Sequence, residues 1–191
     1  ESLYYVCDLE TGEWIKTDPK GHKKWSTQVN QDNHNEYKPL VKIFKWWRRI
    51  NCPSDIRYPK GITLEKLIAD NIGDSERSTE DLVISTMQNI ISAYKEEFAD
   101  KGIVPFLADP SEKVSDNDLL AGYLADDFAQ FLTKLTEHTD LLNSQGTAND
   151  VWKEILGKEF PQDSSTKSSY AFIVCATESH RQKPIWPMSH G

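Results

Sequence analysis

Glu36-Tyr-Lys-Pro-Leu-Val-Lys-Ile-Phe-Lys-Trp-Trp-Arg-Arg-Ile50 places Lys38, Lys42, Lys45 and Arg49 at spacings of four, three and four. At about 100° per residue, these side chains fall within a sector of roughly 60°. Leu40, Ile43, Phe44, Trp47 and Ile50 share the opposite face, the stripe of a helix that packs on one side. The spacing predicts an amphipathic helix with a row of cations turned outward. In a chain of net charge −8, such a row either meets an anionic partner or is a solvated face paired with acids elsewhere.

Outward from this helix the pattern stays helical. Upstream, Asp18-Pro19 opens a helix that runs to about Val29, because Pro suits a first helical position. Before it, Leu3–Cys7 and Trp14–Thr17 read as two short strands joined by a turn at Thr11-Gly12. Downstream, Pro53 and Pro59 mark a loop, and a short helix is expected from about Thr63 to Ile72. Ser78-Thr-Glu-Asp81 caps a long helix with Val83, Met87, Ile90, Ile91, Tyr94 and Phe98 on one face. Ser115-Asp-Asn-Asp118 reads as the opening of another, burying Leu120, Leu124, Phe128, Phe131 and Leu135. Thr147-Ala-Asn-Asp150 caps a last helix with Val151, Trp152 and Ile155, stopped by Gly157 and Pro161. Gln162–Ser169 is a polar linker, and Ser169–Thr177 a buried strand. Strands at both ends lack an evident partner sheet, so the fold class is mainly α, with short strands belonging to adjoining β-containing regions.

At 191 residues with 38% hydrophobic side chains and six Trp, the chain builds a core and is not a disordered segment. Cations crowd its first third (Lys20, Lys23, Lys24, then the row above), while Asp and Glu dominate later. Cys7, Cys52 and Cys175 form neither a CxxC pair nor a disulfide framework. No run is long and apolar enough to span a membrane, and no signal peptide is apparent, so a cytoplasmic location is expected. His138, near a helix end, reads as solvated, and the other histidines are scattered. Asp126 and Asp127 diverge by about 100° on a helix and read as a solvated acidic face rather than a metal pair. No Gly-rich phosphate loop, HExxH or GxSxG motif is present.

Several segments, in order, resemble the C-terminal helical half of bacterial antiviral nucleotidyltransferases. These relatives of oligoadenylate synthase and cyclic GMP-AMP synthase make cyclic oligonucleotide signals. The matching pieces are Gly12-Glu-Trp14, Thr17-Asp-Pro19 and His22, followed by Leu40-Val-Lys-Ile-Phe-Lys-Trp46 and Lys60-Gly-Ile-Thr-Leu-Glu65. Asp109-Pro110, Trp152-Lys-Glu-Ile-Leu-Gly157 and Phe160-Pro161 continue the series. His180-Arg-Gln-Lys-Pro-Ile-Trp-Pro187 is similar to the start of a small sensor domain carried by some of these enzymes. The resemblance implies the last strands of a nucleotidyltransferase core at 1–17, a helical substrate-binding lobe at 18–161, and a linker with the start of a sensor-like domain at 162–191.

The resemblance also implies a site. Lys45 matches a family lysine that contacts the donor triphosphate, and Lys60 matches a second. Gly61 stands where the family has Ser, so a hydroxyl contact is lost or a backbone N–H replaces it. Lys42, like Lys38 and Arg49, is a supporting or merely solvated charge, and Trp46, which borders the row, either stacks on a base or simply packs. The Gly-Ser loop and the carboxylates that hold Mg²⁺ do not occur in this chain, and Asp8 reads as a strand-end residue. The expected partners are nucleoside triphosphates, a catalytic lobe outside the chain and, through the cyclic product, a downstream effector. No catalytic residue and no metal ligand is expected here, so this chain alone is expected to be inactive. Two alternatives stand beside this reading: a non-catalytic helical module that binds nucleotide or protein, and the helical lobe of another template-independent nucleotidyltransferase.

Overall fold

The computed structural model describes residues 3–7, 12–146 and 149–159. Asp8, the linker at 162–169, the strand expected at 169–177, Cys175 and the sensor-like segment at 180–187 lie outside the described residues.

Two strands, β1 (Tyr4–Cys7) and β2 (Trp14–Thr17), precede the helices α1 (Pro19–Asp32), α2 (Tyr37–Asn51), α3 (Gly61–Asp70), α4 (Thr79–Lys101), α5 (Ala125–Gln145) and α6 (Asn149–Leu156). The strands pair antiparallel with each other, Tyr4 opposite Thr17 and Cys7 opposite Trp14. The two strands expected from sequence thus pair with each other, and among the described residues no further strand joins them and their outer faces are uncovered. Tyr5, Val6 and Trp14 are exposed, Trp14 at 69%.

Helix α2 occupies the middle of the fold and packs against α1, α3, α4 and α6. Its expected stripe is buried at Leu40, Ile43, Phe44 and Trp47, joined by Tyr37 and Val41. Burial of each large side chain stabilises the fold by about 1.5–3 kcal/mol. Ile50 departs from the stripe: the last turn of α2 leaves it exposed, its methyls facing Gly157. Around Trp47 the core is aromatic. Its indole stacks on Tyr58 at 6.1 Å and meets Phe131 edge-on at 6.0 Å, and Phe128 extends the cluster to Tyr94 and Phe98 on α4.

The starts of α1 and α4 follow their caps. The Asp18 carboxylate accepts from Gly21 N–H at 3.1 Å, and Pro19 stands at the first helical position of α1. Ser78 Oγ accepts from Asp81 N–H at 3.2 Å at the head of α4, and Gly102 closes that helix at φ +61°. One expected start is wrong. Ser115–Asp118 opens no helix; α5 begins at Ala125, and Leu124 is 70% exposed instead of buried. The Asp118 side chain bonds elsewhere. Its Oδ1 accepts from Leu107 N–H and Leu120 N–H, and its backbone bridges to Ala108. Asp118 thus closes a local turn at Leu120 and ties it to the 107–108 segment.

Candidate functional site

The outward face of α2 carries the predicted cations. Lys38, Lys45 and Arg49 are exposed and Lys42 is half-buried. Their environments differ. Lys45 Nζ pairs with Glu65 Oε1 at 2.5 Å, reaching across to α3, and Arg49 lies over the Trp46 ring at 5.5 Å. Trp46 donates its indole N–H to the Leu156 carbonyl at 2.8 Å, so the side chain anchors α6. Lys20, Lys23 and Lys24 line a groove of about 340 Å³ along α1 with Thr27, Gln28 and Gln31.

Lys60 is exposed at the N-cap of α3, the helix that also carries Glu65. No side chain caps this helix, and the partial positive charge of its N-terminus lies beside the lysine. Gly61 takes φ +56°, in the left-handed region, with open space where a Cβ would stand. Conformation, not crowding, selects glycine here. The structure thus brings Lys45 and Lys60 to one helix, the first through its ion pair with Glu65 and the second as its cap. Tyr37 supports this arrangement by donating its hydroxyl to the Glu65 carbonyl at 3.1 Å. Burial, with Glu65 and Asp70 nearby, holds the Tyr37 phenol well above its ordinary range, so it remains a donor.

A polar cluster went unrecognised in the sequence. His22 Nε2 donates to Asp109 Oδ1 at 2.8 Å, and Ser111 N–H donates to the same oxygen at 2.9 Å. Ser111 Oγ donates to Asp18 Oδ2 at 2.9 Å. The Gly21 N–H and then the Ser111 hydroxyl hold the Asp18 carboxyl below its usual range. A Cβ at Gly21 would stand 2.4 Å from both Asp18 Oδ2 and Ser111 Oγ, so the cluster needs glycine there. It fastens the head of α1 to the 109–111 loop. Asp18, His22 and Asp109 all belong to matching family segments, but only the fold brings positions 87 residues apart together.

Two expectations need correction. His138 is buried and accepts the Trp47 indole N–H at 2.8 Å; it is a core residue, not a solvated one. Asp127 is buried while Asp126 is exposed, so the pair is no uniform acidic face. Among the described residues, no three His, Cys, Asp or Glu side chains gather as a metal site. No described helix is long and apolar enough to cross a membrane.

No family model matches the chain. Among curated proteins, a cyclic AMP-AMP-AMP synthase from Acinetobacter sp. is 35% identical over 172 residues, which are 87% of this chain and 49% of that protein. Cyclic-oligonucleotide synthases are homologues of this chain. A cyclic AMP-AMP-GMP synthase from Enterobacter hormaechei subsp. hoffmannii is 26% identical over 160 residues, 81% of this chain and 41% of that synthase. The chain spans about half the length of the curated synthases it matches. Among solved structures, that of CdnC from E. coli MS115-1 with ATP superposes with a TM-score of 0.62 at 14% identity, covering 84% of this chain and 56% of CdnC. That likeness is one of fold: the mainly helical arrangement is the one found in CdnC.

Proposed function

We propose that the chain is the helical nucleotide-binding lobe of a nucleotidyltransferase that makes cyclic oligonucleotide signals from nucleoside triphosphates, in bacterial anti-phage defence. The observation that carries this reading is the 35% identity to a cyclic AMP-AMP-AMP synthase along 87% of the chain. In this reading residues 18–161 are the lobe, 1–17 the last strands of the catalytic core, and 162–191 the linker and the start of a sensor-like domain.

Lys45 and Lys60 hold the β- and γ-phosphates of the donor, and the uncapped amides of α3 beside Gly61 add dipolar attraction. Lys42 adds charge from the same row, and Trp46 serves by packing α6 against α2. Glu65 keeps the Lys45 side chain extended toward α3 until phosphate arrives. Catalysis then consists of positioning and charge neutralisation around an attacking ribose hydroxyl. Mg²⁺, held by carboxylates of the catalytic lobe, would supply the activation of that hydroxyl and the stabilisation of leaving pyrophosphate.

In the intact protein, Lys45→Ala is expected to weaken ATP binding about tenfold, the scale of one lost charge-assisted contact at a partly exposed site. Binding of AMP, which lacks the contacted phosphates, should change little. Unaltered ATP affinity and turnover would reduce Lys45 to the partner of Glu65 and nothing more.

A further inference from the structure

The first turn of α3 takes its geometry from a segment some sixty residues away. The Lys60 N–H donates to the Tyr123 hydroxyl at 3.2 Å. Thr63 Oγ1 donates to the Leu119 carbonyl at 3.1 Å. Arg57 donates through Nη1 to the Gly122 carbonyl at 3.0 Å and lays its guanidinium 4.9 Å above the Tyr123 ring. Residues 119–123 therefore grip the chain on both sides of Lys60. The grip is firmly seated: Leu120 and Tyr123 are buried, and Asp118 ties the Leu120 N–H.

This matters because α3 does not fix Lys60 by itself. It begins without a side-chain cap, and Gly61 is the residue with the most backbone freedom. A lysine carries several rotatable bonds beyond its Cα, so a loose backbone beneath it adds to the ordering cost of every contact its ammonium makes. The hydroxyl of Tyr123 reaches the Lys60 N–H, and the ring is held by burial and by Arg57.

We propose that Tyr123 is a positioning residue for the triphosphate grip. Its hydroxyl fixes the Lys60 backbone so that Lys60 meets the β- and γ-phosphates of a nucleoside triphosphate together with Lys45, and Arg57 keeps the phenol in place. The inference rests on the reading of Lys60 given above.

A double-mutant cycle in the intact protein tests it, with Tyr123→Phe, Lys60→Ala and the pair, each assayed for ATP and AMP binding and for steady-state kinetics. The expected result is that Tyr123→Phe raises the KM for ATP about three- to tenfold, the scale of one hydrogen bond, with kcat and AMP binding nearly unchanged. In the Lys60→Ala background, the same change should have no further effect. Losses that multiply, or a Tyr123→Phe protein that binds ATP as the parent does while Lys60→Ala does not, overturn the positioning role and leave the reading of Lys60 standing. Lys60→Ala without effect on ATP overturns both. Should Tyr123→Phe fail to fold, Arg57→Gln leaves the hydroxyl but unsettles the ring, and the same cycle with Lys60→Ala decides.

Discussion

At the scale of the residue, Trp47 and His138 form a neutral pair in the core. The indole N–H points at Nδ1, which fixes the uncharged imidazole with its proton on Nε2. Burial first, and Lys134 second, pull the His138 pKa down to about 4, with Glu137 acting weakly the other way. The unfolded chain takes up this proton near the ordinary value of 6.5, whereas the folded chain waits until about 4. Stability from this residue is therefore complete above pH 6.5 and is lost as pH falls toward 4. We expect urea midpoints to drop across that window and the drop to flatten in His138→Gln; an equal slope in both proteins would place the sensitivity elsewhere. The burial was legible after all: Phe131, Leu135, His138 and Leu142 follow the spacing of a buried stripe, and all four are buried. The contact between Lys45 and Glu65 was not legible, because helical periodicity says which side a residue faces and nothing about what stands opposite.

At the scale of the element, α6 is held onto α2 through its last carbonyls. Trp46 Nε1 donates to Leu156 O at 2.8 Å, and Asn51 Nδ2 donates to Ile155 O at 2.8 Å. Carbonyls at a helix end have no partner within the helix, so these side chains complete it. Replacing Trp46 by Phe removes one such bond and should cost about 1 kcal/mol of stability. ATP affinity should stay within about twofold, whereas a larger loss would show that the indole stacks on the base. The amphipathic elements α2 and α4 were readable because their apolar spacing repeats over several turns. Helix α5 was misplaced at its start, since the short acidic sequence that resembled a cap is occupied by Asp118 in bonding Leu107 and Leu120. A local motif cannot reveal that a distant backbone has already claimed its side chain.

At the scale of the molecule, a helical body carries cations on one wall and bears an exposed hairpin whose Tyr5, Val6 and Trp14 have no cover among the described residues. The hairpin is tied to the body, Asn117 Nδ2 donating to the Lys16 carbonyl at 2.8 Å. The cluster of Asp18, His22, Asp109 and Ser111 fastens the same region. In the proposed reading this body is one half of a cleft: it would offer charge to a polyphosphate, and the reacting groups would come from the other half. The order of short segments made the likeness to these synthases visible in the sequence; the chain spans about half the length of the curated synthases it matches. Product analysis tests this most directly. The intact protein, incubated with nucleoside triphosphates and Mg²⁺ or Mn²⁺, should release pyrophosphate and yield a discrete cyclic oligonucleotide that resists phosphatase. Linear chains of indefinite length, or no incorporation of nucleotide at all, would contradict the assignment.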